Sequence, residues 1–74
     1  MTYMEYARRQ KEWTQKDLGE HPRVRIHQNF ISMIERGAVL PMPDQRQRIA
    51  GALGIPAETL LEPVPTATVV AERG

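Results

Sequence analysis

No cysteine occurs among the 74 residues, so neither a disulfide framework nor a thiolate zinc site is available to hold the chain together. Compact helix packing or oligomerisation has to supply that support instead. Aromatic residues are scarce as well: one Trp, two Tyr and one Phe. No run approaches the roughly 18 apolar residues that a membrane span requires, so no membrane association is expected. The opening Met1-Thr2-Tyr3-Met4-Glu5 has no basic flank leading into an apolar stretch, which argues against a secretory leader and for a cytoplasmic protein. Nor does one sign of charge dominate, since 10 Lys and Arg face 9 Asp and Glu. What remains is one small domain.

The charge is nevertheless unevenly spread. Residues 1 to 48 hold nine basic and six acidic side chains, whereas residues 49 to 74 hold one basic and three acidic. A basic first two thirds suits an anionic partner met by one face.

Capping and periodicity signals divide the chain into five short helices. Thr2 followed by Glu5 has capping-box spacing and predicts a helix from Tyr3 to Lys11, with Met4 and Ala7 facing inward. Thr14 with Asp17 repeats the signal and predicts a second helix to Gly19 or Glu20, with Leu18 inward and Trp13 plugging the space between the two helices. Residues 20 to 27 contain Pro22 and no helical period, so they read as a loop. Ile31 and Ile34 mark a third helix from Gln28, closed at Arg36-Gly37 by a glycine in the left-handed region. Asp44 enters a fourth, with Ile49, Ala50 and Leu53, ended by Gly54; Pro56 to Leu61 makes a fifth.

After Leu61 the composition changes. Glu62-Pro63-Val64-Pro65 cannot continue a helix, and Thr66 to Ala71 is β-prone. The expected organisation is therefore a helical domain over residues 1–61 and a C-terminal tail over 62–74, a candidate dimerisation arm.

Four stretches then stand out in order: Trp13-Thr14-Gln15-Lys16-Asp17-Leu18-Gly19, Ile31-Ser32-Met33-Ile34-Glu35-Arg36-Gly37, Pro41, and Ile49-Ala50-Gly51-Ala52-Leu53-Gly54-Ile55-Pro56. Together they resemble the Cro and phage-repressor type of helix-turn-helix, the xenobiotic-response-element family, over about residues 4 to 61. Several separated matches in the right order carry far more weight than a lone motif. The resemblance implies an all-α, five-helix repressor-like domain that binds operator DNA, usually as a homodimer, and regulates transcription. It also implies that Arg8 and Glu35 form a structural pair between helices 1 and 3.

The residues themselves point the same way. Thr14 as cap leaves N–H groups at the start of helix 2 free for a phosphate, and Gln15 can add a side-chain donor. Gln28 and Asn29 are amides able to bond adenine in the major groove, and Ser32 lies one turn further on the same face, while Ile31 and Ile34 point to the core. The expected base contacts are Gln28, Asn29 and Ser32. The expected backbone contacts are Thr14, Gln15, Arg23, Arg25, His27 and Arg36, with Arg46 and Arg48 as further phosphate candidates. His27 reads equally as a helix cap, and Phe30 as a packing residue.

Two departures from the family pattern are visible. Gly19 stands where the family usually has Ala, and Leu18 to Ile31 spans 13 positions where about 11 are usual, with Arg25 near the place of the missing turn glycine. A bulged loop over His21 to Arg25 is expected. Arg46 occupies a position that is normally apolar.

The function expected is a sequence-specific repressor acting as a dimer on a pseudo-palindromic operator. The other reading is an antitoxin-like module that binds DNA and a small protein partner. No nucleophile, base and orienting group occur at a plausible spacing, and no glycine-rich phosphate loop is present, so no enzyme, cofactor or metal is expected. Leu60, Leu61 and Ile55, with Val64, Val69 and Val70 of the tail, are expected at the dimer contact.

Overall fold

The computed structural model describes residues 1–65 of the chain. Four α-helices follow in order, α1 (Tyr3–Gln10), α2 (Gln15–Glu20), α3 (Gln28–Glu35) and α4 (Pro43–Leu53), and then a 3-10 turn (Ala57–Thr59). The all-α class holds, but the expected fifth helix is only this turn. Leu60 N reaches Ala57 O at 3.3 Å and Thr59 N reaches Pro56 O at 3.2 Å, so the segment closes i to i+3 and does not extend. Among the described residues no helix is long and apolar enough to cross a membrane.

The start of α1 is completed by contacts from the far end of the described chain. Thr2 Oγ1 accepts from Glu5 N at 3.3 Å. The expected reciprocal half of this cap is replaced, because the Glu5 carboxylate pairs with Arg9 at 2.6 Å. The two N–H groups that lead the helix are satisfied from the far end of the chain: Tyr3 N donates to Glu62 O at 3.0 Å and Met4 N to Leu60 O at 2.9 Å. Val64 N donates to Met1 O at 2.8 Å, and Thr2 and Pro63 form an antiparallel bridge. Residues 60 to 64 are thus laced to residues 1 to 4. The β-prone stretch Thr66 to Ala71, with Val69 and Val70, lies outside the described residues.

At its other end α1 closes without the glycine that such a turn favours. Glu12 N donates to Arg9 O at 2.9 Å and Trp13 N to Arg8 O at 3.2 Å, which places Glu12 in the left-handed region with φ 60°. A side chain there costs about 1 kcal/mol, and a carboxylate opposes the negative end of the helix dipole. Glu12→Gly should therefore raise thermal stability by about 0.5–1 kcal/mol, or several degrees in melting temperature for a domain of this size. A melting temperature that falls would show the turn to be unstrained.

α2 carries the full capping box: Asp17 N donates to Thr14 Oγ1 at 3.0 Å, and Thr14 N to Asp17 Oδ2 at 2.9 Å. α3 is capped by His27, whose Nδ1 accepts from Asn29 N at 3.0 Å. It ends at Gly37, φ 79°, where Ala38 N reaches Met33 O at 2.9 Å and Gly37 N reaches Ile34 O at 3.0 Å. α4 begins at Pro43, where a missing N–H costs nothing, and Gln45 Oε1 takes the Met42 N–H at 2.7 Å.

The core is built from Met4, Leu18, Val24, Ile31, Ile34, Ile49, Ala50, Leu53 and Leu60. Leu60 is 0% exposed, so the expectation that it meets a partner is corrected: its side chain is used up inside the domain. Ile55 and Leu61 are half-buried. Val24 is the other surprise, a loop residue that is fully buried. Trp13 is half-buried at the rim of the core, with Lys11 Nζ 5.4 Å from its ring centre and the His21 ring 5.4 Å away, and so does not plug the centre.

Candidate nucleic-acid interface

α3 has two unlike faces. Ile31 and Ile34 are buried in the core, and Phe30 packs against it, half-buried. Gln28, Asn29 and Arg36 are exposed and Ser32 is half-buried. At 100° per residue, positions 29, 32 and 36 fall on the side of the helix opposite 31 and 34, and position 28, one turn before Ile31, lies at the margin of that side, so the Asn29 amide, the hydroxyl and the guanidinium share one presented face with the exposed Gln28 amide at its edge.

The helix is held in orientation by a charged cluster beneath that face. Arg8 donates from Nε to Glu35 Oε2 at 2.7 Å and from Nη2 to Glu35 Oε1 at 3.1 Å, a two-point pair. Arg8 Nη1 also donates to Trp13 O at 2.7 Å, and Gln15 Nε2 donates to Glu35 Oε1 at 3.0 Å. The Arg8 and Glu35 side chains are 10% and 4% exposed, so the carboxylate joins α1, α2 and α3 in a nearly dry place. Gln15 is accordingly half-buried, with its amide on Glu35.

The start of α2 is less open to an anion than a bare cap would leave it. The Thr14 and Asp17 N–H groups are taken by the capping box, while Gln15 N and Lys16 N, which have no carbonyl one turn before them in the helix, lie between. Hydrogen bonds from the Thr14 backbone and then its side chain, aided by the Lys16 charge, hold the Asp17 carboxyl below the ordinary range. A persistent carboxylate therefore stands beside the helix start. Sequence reading passed over Lys16, which follows the Thr14-Gln15 pair directly. It lines a shallow cleft with Glu20, Ile26, His27 and Gln28, which brings an ammonium to the leading edge of α3.

The longer connection between α2 and α3 has its own geometry. His21 Nδ1 accepts from Arg23 N at 3.0 Å, Val24 N donates to His21 O at 2.8 Å, and Arg25 sits in the left-handed region at φ 53°, where a glycine is usual. Val24 turns into the core while Arg23 and Arg25 stay exposed. Ile26 N then donates to Gly19 O at 2.9 Å. An added Cβ on Gly19 would lie 2.3 Å from the Ile26 carbonyl oxygen, so this loop has room for glycine alone.

The remaining arginines are distributed unequally. Arg23 Nη1 lies 3.8 Å from where a Cβ on Gly51 would stand, which places it against α4. Arg48 Nη1 donates to Val24 O at 2.7 Å and so fastens the loop to α4, and Arg46 Nη1 donates to Ala57 O at 3.2 Å. Arg46 is half-buried at its apolar position because its guanidinium satisfies the carbonyl of the 3-10 turn. Arg36 and Arg25 are exposed.

Two short helices set against each other, the second presenting polar side chains from its leading end, form the geometry of a helix-turn-helix. No curated protein and no solved structure matched the chain. Residues 4–60 match the family model described as Helix-turn-helix, which spans α1 to the residue after the 3-10 turn. The chain belongs to the Cro and phage-repressor type of helix-turn-helix family and is a DNA-binding transcription regulator.

Proposed function

We propose that the protein is a sequence-specific repressor that binds a pseudo-palindromic operator as a homodimer, reading bases through Gln28, Asn29 and Ser32 on α3. The observation that carries this reading is the exposed amide pair at the start of a helix whose opposite face is core and whose far end is pinned by Glu35. Thr14, Gln15, Arg23, Arg25, His27 and Arg36 are assigned to the phosphate backbone. Gln15 does so while its amide is shared with Glu35, and His27 while its ring caps α3. Ile55, Leu61 and the C-terminal tail are assigned to the dimer contact. A single unit of this size covers only a few base pairs, so pairing two of them on one face of the duplex gives both specificity and affinity.

Selection of bound sites from a random duplex pool tests the proposal. The expected site has two half-sites about 10 to 10.5 base pairs apart, or a multiple of that, and an affinity that falls steeply with salt as counterions are released. Folded protein that enriches no duplex overturns it. Within the selected site, Gln28→Ala should lose about 1–3 kcal/mol at one base position and leave non-specific binding nearly unchanged, whereas Arg36→Ala should weaken all sequences alike. An unchanged site preference in Gln28→Ala would move the reading surface off the start of α3.

A further inference from the structure

The reading face of α3 contains one side chain that neither the core nor a polar contact explains. Met33 is half-buried, and although Phe30 packs against the core from the same helix, Met33 is not among the side chains that do so. It stands four residues after Asn29 and three before Arg36, so the three side chains neighbour one another along the presented side. The part of that side chain still in water lies where polar residues surround it, and covering it with an apolar group is favourable.

We infer that Met33 reads the C5-methyl group of a pyrimidine, a thymine or a 5-methylcytosine, in the major groove. The inference rests on the DNA-reading function proposed above. The C5-methyl is the apolar feature that a base edge presents in that groove, and it is recognised by apolar side chains. An unbranched thioether with three rotatable bonds is suited to follow such a contact. Met33 lies about 6 Å along the helix axis from Asn29, roughly one to two base-pair rises of the duplex. It therefore reads a pair beyond the one met by the leading amides, and the polar readers and the apolar reader divide the half-site between them.

The test uses the whole chain and unmethylated synthetic duplexes of the selected site, with each thymine of a half-site replaced in turn by deoxyuridine, which removes only the methyl. One replacement should weaken the wild-type protein about fourfold per half-site, the equivalent of one buried methyl group. Met33→Ala should bind thymine and uracil versions equally at that position, while Met33→Leu retains the preference. Melting curves confirm that both variants are folded, as expected for a side chain outside the core. If the methyl belongs to cytosine instead, uracil replacement is silent and methylating one cytosine tightens wild-type binding by the same factor, an effect that Met33→Ala abolishes. A wild-type protein indifferent to both exchanges overturns the inference, as does a Met33→Ala variant that still discriminates. If the same duplexes are still read through Gln28, only the Met33 assignment falls. Failure to select any duplex removes the proposed function itself.

Discussion

Replacing Glu35 by alanine should cost about 3–5 kcal/mol of folding stability, the effect expected when one member of a buried ion pair is removed. A chain of this length has a total stability of only about 4–11 kcal/mol, so much of it is at stake. The loss is large because of what remains behind. Arg8, 8% exposed, keeps its bond to Trp13 O and loses both bonds to the carboxylate, and Gln15 Nε2 loses its acceptor. A charge that was solvated by a carboxylate is then left nearly dry. Urea melts of Glu35→Ala, Arg8→Ala and the double variant would measure the coupling. The double variant should be more stable than the sum of the two losses by about 0.5–3 kcal/mol, because with both partners gone no uncompensated charge is buried. Strictly additive losses would contradict the direct pair. The residual folded protein should keep its site preference, since Glu35 positions α3 from below and does not belong to the presented face.

Gly19→Ala should destabilise the domain by about 1–3 kcal/mol, although helix propensity alone predicts a gain of about 1 kcal/mol at this position. The sign is decided by the Ile26 carbonyl, 2.3 Å from the Cβ that alanine would add. That oxygen belongs to the backbone, and the same residue's N–H is bonded to Gly19 O at 2.9 Å, so the loop cannot retreat without breaking the bond that closes it. Ile26 also directly precedes the His27 cap, and displacing it disturbs the start of α3. Site-specific DNA binding should therefore weaken together with stability. A melting temperature that rises in Gly19→Ala would mean that propensity outweighs the contact. The missing alanine and the longer loop meet at one place: the Ile26 carbonyl at the end of the loop stands over position 19, and glycine is what that approach requires.

Much of the framework was legible because its signals are local. Thr14 with Asp17, Gly37 and Gly54 are caps whose chemistry acts within a few residues, and the structure shows Gly37 at φ 79° and Gly54 at φ 74°. Ile31 and Ile34 identify the buried side of α3 by spacing, which in turn leaves Asn29 and Ser32 on the other side and the exposed Gln28 at its edge. The resemblance to the Cro and phage-repressor type rested on these same stretches, and the match over residues 4–60 shows that family.

What the chain's order of residues determined by itself was where the first four helices start and stop, which faces of them are apolar, and the family those stretches belong to. Tertiary structure alone decided the rest. Val24 becomes core from inside a loop that has no period to reveal it, and Leu60 becomes core where an exposed partner surface was expected. The fifth helix shrinks to a 3-10 turn whose following residues return to the start of α1, with Leu60 O and Glu62 O accepting the Met4 and Tyr3 N–H groups. Each of these outcomes depends on atoms distant in sequence, so no window of neighbouring residues contains the free energy that selects it.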